Sequence, residues 1–219
     1  MSASDPAKKA AGRPRSAAKG QAILQAARAL FLREGYARTS MDAIAAEARV
    51  SKRTLYTHFA DKDRLFRAVV EESTAEVTRQ LIALADRHLC GTGDLEQRLN
   101  AFGRAWAATD TDSREHQSLV LLIVSEARHF PAIAQTWREL GPQAAHRALA
   151  GHLARLAKEG LLEIDDADEA ARHFSALVTT PVSLRSLFGA IPLEQAEVDA
   201  LVASGVRAFL RLYGRRAAR

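Results

Sequence analysis

The chain is poor in cysteine, since Cys90 is the only one among 219 residues. One cysteine allows no intrachain disulfide framework and none of the paired-cysteine spacings of zinc sites. His88 lies nearby, but two candidate ligands beside a glycine are weak evidence, so we predict no metal site. A reducing, cytoplasmic setting fits this cysteine usage.

Long apolar runs are also missing. Leu119–Val124, for example, is far shorter than the ~20 residues that a membrane-spanning helix needs. The first residues lack the apolar stretch of a secretory signal peptide. No glycine-rich phosphate loop is present, and no nucleophile–base pair can be picked out by spacing. We therefore predict neither an enzyme nor a cofactor, and no membrane partner.

Charge is unevenly distributed along the chain. Residues 1–67 carry 14 Lys and Arg against 6 Asp and Glu, whereas residues 68–219 carry 17 against 20. The apolar fraction of 47% is enough for a substantial core. A basic head on a slightly acidic body indicates binding to nucleic acid.

The stretch from Thr39 to Lys62 predicts two short helices joined by a tight turn. Apolar residues recur at i, i+3, i+4 and i+7 from Met41, after a capping Thr39 or Ser40. A second helix of eight or so residues, roughly 12 Å long, would fit a DNA major groove. It buries Leu55 and Phe59 and leaves outward Lys52, Arg53, Thr54, Tyr56, Thr57 and His58. The pattern predicts a helix-turn-helix that contacts DNA.

Three segments around this motif carry a family resemblance. A helical stripe from Ile23 to Phe31 ends at Gly35 and is followed by Tyr36. Residues 31–36, 39–45 and 50–66 together closely resemble the DNA-binding domain of the TetR/AcrR family of transcriptional regulators, over about residues 20–70. This resemblance implies an all-helical homodimer that represses by binding operator DNA and is released by a small ligand.

Helix position and resemblance together suggest the DNA contacts. Lys52 and Arg53 begin the second helix and are predicted to reach base edges. The side chains expected to contact the DNA backbone or a base methyl are Thr39, Ser40, Thr54, Tyr56, Thr57, His58 and Lys62. Packing of His58 beside Phe59, without a DNA contact, is the alternative for that residue.

Arg49 departs from the family pattern, which often has glycine in this turn. If the backbone here is left-handed, a non-glycine residue costs roughly 1–2 kcal/mol. Arg49 either contacts a phosphate or points into water.

Residues 1–18 lack apolar periodicity, and we expect them to form a disordered basic arm. Residues 12–15 resemble the core of an AT-hook, in which Arg13 and Arg15 would enter the minor groove. A merely solubilising arm is the alternative.

The remainder of the chain predicts helices separated by glycine and proline breaks. The expected fold is all-α, with a three-helix DNA-binding domain at 19–67, a larger helical ligand-binding and dimerisation domain at 68–214, and a basic tail at 215–219. Residues 125–137 and the later 187–189 are similar to the AefR-like branch of TetR C-terminal domains. Pro181 should interrupt one helix, leaving Thr179 and Thr180 to satisfy freed carbonyls or to face a cavity.

Two sets of side chains are predicted to act in the larger domain, although ordinary core packing is the alternative for both. A pocket for a small amphipathic molecule is expected to involve Phe102, Trp106, Leu121, Arg128, His129, Trp137 and Phe174. The dimer interface is expected to involve Phe174, Leu177, Leu184, Val198, Leu201, Val202, Val206 and Phe209.

The leading hypothesis is a dimeric repressor with three partners: palindromic operator DNA, a second copy of itself and an unidentified small-molecule effector. A helical enzyme or carrier with an incidental basic head is one alternative. A constitutive DNA-organising protein without an effector is another.

Overall fold

The computed structural model describes residues 12–108, 111–140 and 142–215, with the side chains of 12–15, 111–113, 133, 140 and 142 outside that description. The helices are α1 Gly12–Glu34, α2 Met41–Glu47, α3 Lys52–His58, α4 Lys62–Leu89, α5 Leu95–Ala107, α6 Thr111–Glu126, α7 Pro131–Leu140, α8 Pro142–Lys158, α9 Ala167–Phe174, α10 Thr180–Arg185 and α11 Gln195–Tyr213. Over these residues the strand-like pairing is limited to an isolated bridge between Leu162 and Gly214. The all-α prediction is confirmed. None of the described helices is long and apolar enough to cross a bilayer.

The chain divides into two compact units. The first comprises the described residues up to Glu72 together with Leu122–Thr136, and the second comprises Ser73–Leu121 and the residues from Trp137 onward. Sequence patterning predicted a single boundary near residue 67, which falls inside α4. It gave no sign that a segment from the middle of the chain joins the first unit.

An aromatic cluster explains why this middle segment packs with the first unit. Phe130 meets Tyr36 edge-on with ring centroids 4.5 Å apart, and Tyr36 also contacts Phe31 and Phe66. Such aromatic pairs contribute about 0.5–1.5 kcal/mol beyond the burial of their area. The Tyr36 hydroxyl donates to the Asp63 carboxylate, and burial, reinforced by that carboxylate, raises the pKa of Tyr36. The cluster fixes α1, α4 and the 122–136 segment to one another.

The first helix starts earlier than the sequence predicted. It begins at Gly12, so the last seven residues of the expected disordered arm are helical in the structure. Residues 1–11, the side chains of Arg13 and Arg15, and tail residues 216–219 lie outside the described part of the chain.

The core of the second unit includes four residues that were predicted to form a dimer interface. Phe174, Val202, Val206 and Phe209 are each 0% exposed within one chain. Side chains with no exposed surface cannot gain burial from a partner, so these four side chains are core residues of one chain. Phe174 and Phe209 meet edge-on at 5.2 Å, which ties α9 to α11.

A π-helical turn, Ser175–Thr179, joins α9 to α10 just before Pro181. Thr179 and Thr180 both donate their hydroxyl protons to the Ser175 carbonyl, at 3.0 and 3.2 Å. The Ser175 carbonyl also accepts the Thr180 backbone amide, so it is not a carbonyl that Pro181 frees, and the predicted role of the threonines in satisfying freed carbonyls is not seen here. Turns of this kind often mark functional sites within helices.

Two glycines allow neighbouring helices to approach the π-helical turn closely. A Cβ at Gly103 of α5 would lie 2.8 Å from Val178, and a Cβ at Gly205 of α11 would lie 2.9 Å from the Val178 Cα. The turn is therefore held between two helices at positions where any larger residue collides with it.

Candidate nucleic-acid interface and internal cavity

The turn between α2 and α3 is a left-handed helix cap with a non-glycine residue. Ser40 begins α2 and accepts a hydrogen bond from the Ala43 amide at 3.1 Å. At the other end Arg49 has φ +54°, and its amide donates to Ala46 while that of Val50 donates to Ala45. This is the paired hydrogen-bond pattern in which glycine is normally preferred. The left-handed conformation anticipated for Arg49 is therefore present.

We expect Arg49→Gly to raise the free energy of unfolding by about 1 kcal/mol, because it relieves the strain of a left-handed side chain. The urea midpoint should rise with an unchanged slope. Arg49→Ala is the control, since it removes the cation and keeps the strain. Weaker DNA binding in both variants would assign a phosphate contact to Arg49, whereas an Arg49→Gly variant of unchanged or lower stability would contradict the strain.

Helix α3 presents a polar and cationic face outward. Ser51 caps it by accepting from the Thr54 amide at 3.1 Å, and Leu55 at 0% exposure anchors its inner side. The exposed side chains are Lys52, Arg53, Tyr56 and Thr57, with Thr54 and His58 half-buried. The predicted outward face is confirmed for Lys52, Arg53, Tyr56 and Thr57. Thr54 and His58, which were predicted to face outward, and Phe59, which was expected to be buried, are half-buried.

Lys52 forms an exposed ion pair with Asp42 of α2, with Nζ and Oδ2 2.6 Å apart. An exposed pair contributes at most about 1 kcal/mol, so Lys52 can exchange Asp42 for a DNA acceptor at small cost. The Thr57 hydroxyl donates to the Arg53 carbonyl at 2.7 Å, which leaves its lone pairs outward. The face is thus arranged to offer cations and hydroxyls to DNA.

Two side chains predicted to contact the DNA backbone make hydrogen bonds within the first unit. The Lys62 ammonium donates to the carbonyls of Tyr36 at 2.9 Å and Thr39 at 3.1 Å, with Ala37 at 3.5 Å, and lies 4.3 Å from the Tyr36 ring centroid. Thr39 is 3% exposed, and its hydroxyl donates to the Gly35 carbonyl at 2.8 Å. The Thr39 hydroxyl proton is therefore committed within the fold, and Lys62 holds residues 36–39 together in this structure; their DNA contacts stay predictions.

His58 lies against α1. Its Nδ1 would be 3.4 Å from a Cβ at Gly20, and its ring centroid is 6.3 Å from that of Phe59. This arrangement agrees with the packing alternative for His58, and Ser40 remains exposed at the start of α2.

We expect Arg53→Ala and Lys62→Ala to separate DNA recognition from support of the fold. Arg53→Ala should reduce discrimination between operator and scrambled DNA by about 1–3 kcal/mol, the range for a bidentate base contact. Lys62→Ala should lower stability instead, because its backbone acceptors lose a charged donor, while the salt dependence of binding stays unchanged. Fluorescence anisotropy at several salt concentrations and urea denaturation measure the two effects. A salt slope reduced by about one unit in Lys62→Ala would restore the phosphate contact.

The second unit contains a cavity of about 660 Å³, within the range of small-molecule sites. Helices α4 to α8, the π-helical turn, α10 and the residues after it line this cavity. Both tryptophans of the chain, Trp106 and Trp137, are in its lining, as the pocket prediction proposed. Thr179 and Thr180 line it as well, in agreement with the predicted alternative in which these threonines face a cavity.

The other predicted pocket residues do not line the cavity. Phe102 and Phe174 are fully buried behind Trp106, with ring centroids 5.5 and 6.3 Å from it. Leu121 is exposed, and Arg128 and His129 are exposed in the first unit. These five residues therefore lie outside the lining of this cavity, and two of them, Phe102 and Phe174, support its wall.

Sequence reasoning missed most of the cavity wall. Thr74, Val77, Thr78 and Leu81 of α4 line it at i, i+3, i+4 and i+7, a spacing that mixes hydroxyls into an apolar face. That mixture was the signal available, because an ordinary core stripe is apolar throughout. Further lining residues that the prediction lacked are His116, Gln117, Val120, Ala145, His146, Ser175, Ser183 and Phe188.

Asp86, Cys90 and His152 form a polar cluster at the end of α4. Their donor atoms lie within 4.8 Å of one another. The Arg155 guanidinium is 3.2 Å from the Cys90 sulfur and 2.9 Å from the Leu89 carbonyl, so a positive charge already stands beside these donors. Its contact with the Leu89 carbonyl satisfies one of the acceptors that the end of a helix leaves unpaired.

Family models match both parts of the chain. Residues 23–69 match the model described as bacterial regulatory proteins, tetR family, and residues 97–215 match the AefR-like transcriptional repressor, C-terminal domain. The second match covers more than half of the chain.

Similar proteins agree with these matches. A TetR-family transcriptional regulator from Mesorhizobium loti is 30% identical with a TM-score of 0.82, covering 92% of this chain and 99% of that one. The flavonoid-responsive regulator FrrA is 32% identical with a TM-score of 0.72, covering 91% and 98%. The HTH-type transcriptional repressor Rv3405c of Mycobacterium tuberculosis is 37% identical over 105 residues, covering 48% of this chain and 52%, about half, of that one.

The fold, the outward face of α3 and these matches lead to one assignment. The chain belongs to the TetR family of bacterial transcriptional regulators and carries a C-terminal domain of the AefR-like type.

Proposed function

We propose that this regulator is a repressor that binds a palindromic operator as a homodimer and leaves it when a small amphipathic molecule fills the cavity. The observation that carries the proposal is that α4 and α6 each contribute to both compact units. In α4, Leu65 and Phe66 belong to the first core, while Thr74 and Thr78 line the cavity. In α6, Gln117 lines the cavity and residues 122–126 belong to the first unit.

Shared helices supply a physical route for regulation. A ligand shifts an equilibrium only through a difference in its affinity for two states. Suppose that the ligand prefers a conformation in which α4 or α6 has shifted. Because each of these helices also contributes residues to the first unit, the shift then moves residues of the DNA-binding unit. Half-sites read by one dimer are about 34 Å apart, so a small change in that unit disturbs the register of the two recognition helices.

Two features support an aromatic effector. Trp106 and Trp137 line the cavity, and aromatic side chains pack well against flat rings. The similar protein FrrA is named for its response to flavonoids. We therefore expect an aromatic, amphipathic molecule to be the effector class.

The dimer surface must be formed by apolar residues that one chain leaves exposed. Leu184, which was among the predicted interface residues and also lines the rim of the cavity, is 57% exposed, and Leu187 and Ile191 are 56% and 49% exposed. The three follow one another at intervals of three or four residues in and after α10. Leu177, Val198 and Leu201 are partly buried and remain candidates at the edge of this surface.

We expect Leu184→Asp to convert the dimer into a folded monomer, because an unpaired carboxylate would have to be buried in the interface. Sedimentation equilibrium measures the association, and circular dichroism checks the fold. Leu212→Asp is a matched control, since Leu212 is 63% exposed but lies near the end of α11. A fully dimeric Leu184→Asp protein would place the interface elsewhere.

The experiment that tests the proposed function is anisotropy with labelled DNA from the regulator's own promoter. The proposal predicts specific binding of a dimer and its reversal by an aromatic ligand that also binds the free protein. In cells, deletion of the gene should raise expression from that promoter. Lower expression would make the protein an activator, and binding that no cavity ligand reverses would favour a constitutive DNA-organising protein.

A further inference from the structure

We propose that the effector is a neutral aromatic molecule whose hydroxyl groups donate hydrogen bonds to the π-helical turn. This inference rests on the proposed function, because it concerns the ligand of the same cavity. It adds three chemical requirements: the absence of charge, at least one flat ring, and hydrogen-bond donors on one edge.

The cavity wall excludes charged ligands. Among the described residues that line it, none is Asp, Glu, Lys or Arg. Burial, assisted by Arg172, lowers the pKa of the lining imidazole His146, which disfavours its charged form. His116 is the other imidazole of the lining, so outside these two rings a carboxylate or ammonium that enters the cavity loses its hydration and meets no charged side chain.

The aromatic part of the wall is rigid. Trp106 lies nearly parallel to Phe174, with an interplanar angle of 5°, and also contacts Phe102, so two buried rings fix its orientation. Phe188 lies on a left-handed turn with φ +54° and contributes another ring to the lining. Preorganised aromatic surfaces of this kind favour a flat ring over a flexible alkyl chain, because a rigid ligand loses less entropy on binding.

At the π-helical turn, the two threonine hydroxyls can accept hydrogen bonds from a ligand but cannot donate any to it. The hydroxyl protons of Thr179 and Thr180 are already donated to the Ser175 carbonyl. A hydroxyl has one proton and two lone pairs, so both threonines can offer a ligand only acceptor sites. This side of the cavity therefore selects ligand groups that donate, such as phenolic hydroxyls.

The opposite polarity occurs at Trp137. Its indole N–H is buried and has no hydrogen-bond partner. Trp137 lines the cavity, and an indole nitrogen can only donate, so the complementary group on a ligand that reaches it is an acceptor such as a carbonyl or ether oxygen. A molecule that combines a phenol with a carbonyl has both complements.

Matched ligand pairs test the requirements on the unaltered protein without DNA. Apigenin carries free phenols and a carbonyl, and its trimethyl ether keeps the rings but has no donor. Ethyl gallate is neutral, whereas gallate is its charged counterpart. Calorimetry and quenching of the two tryptophans measure each affinity.

We expect the trimethyl ether to bind at least about tenfold more weakly than apigenin, because it has no donor for the acceptor sites of Thr179 and Thr180. Gallate should show no binding at concentrations where ethyl gallate binds. Equal affinities within either pair would overturn the inference, and so would failure of both neutral phenols to bind. These outcomes are separate from the proposed function, which is tested by operator binding of the ligand-free protein.

The variant Thr179→Val tests whether the preference for ligands with hydrogen-bond donors arises at the π-helical turn. Thr179→Val removes the acceptor at nearly constant volume, while Thr180 still donates to the Ser175 carbonyl. Thr136→Val is the matched control, because its hydroxyl also donates to a carbonyl four residues earlier and Thr136 is not among the cavity-lining residues. Only Thr179→Val should reduce the preference for apigenin over its ether. An unchanged preference in a folded Thr179→Val protein would contradict the role of the turn.

Discussion

Replacing Gly205 with alanine is expected to lower the free energy of unfolding of the second unit by about 3 kcal/mol. The added Cβ would lie 2.7 Å from the carbonyl carbon of Leu177 and 2.9 Å from the Cα of Val178. Both atoms belong to backbone, which cannot rotate aside as a side chain does. Helix α11 would have to move away from the π-helical turn, which opens the core around Phe209 and Val206.

Gly151→Ala is the matched control for this prediction. Gly151 lies in the interior of α8, and no atom is within 4 Å of its added Cβ. Alanine is favoured over glycine at such a helical position by about 0.5–1 kcal/mol, so this variant should be more stable. Urea denaturation of both variants tests the contrast in sign. A Gly205→Ala protein as stable as the original would contradict the close contact between α11 and the turn.

Operator binding is expected to depend strongly on salt. A dimer that contacts 6–10 phosphates should lose about 10³–10⁵ in affinity between 50 and 200 mM salt, because its cations release condensed counterions. Residues 1–67 carry the excess of positive charge that such binding needs. Anisotropy on the promoter fragment measures the slope. A flat response would show that the outward cations of α3 do not neutralise phosphates.

The local features of the DNA-binding unit could be predicted from the sequence. A helix cap such as Ser51 and the apolar spacing around Leu55 involve residues within one or two helical turns of each other. Such short-range relationships can be read directly from the order of residues in the sequence. The role of Lys62 could not be read in this way. Its acceptors lie 23–26 residues earlier, and a sequence shows that a cation is present without showing which carbonyls surround it.

The same limit explains the errors in the second unit. Periodicity shows that a helix face is apolar, and it does not show whether the face packs against its own chain or against a partner. Phe174 and Phe209 therefore fitted an interface as well as they fit the core that contains them. For the cavity, Trp106 and Trp137 were predicted because they are large aromatic residues. The lining threonines of α4 were not predicted, and those next to Pro181 were given two alternative roles.

The central claim is that one ligand-binding event in the cavity changes DNA binding. The most direct test is the affinity of a quenching ligand such as apigenin for Trp106 and Trp137, measured with and without saturating operator. Coupling between two sites is reciprocal, so operator should weaken ligand binding by the same factor by which ligand weakens operator binding, about 5–150-fold. Identical ligand affinity in the two conditions would contradict the claim, because the cavity would then be a binding site without influence on DNA.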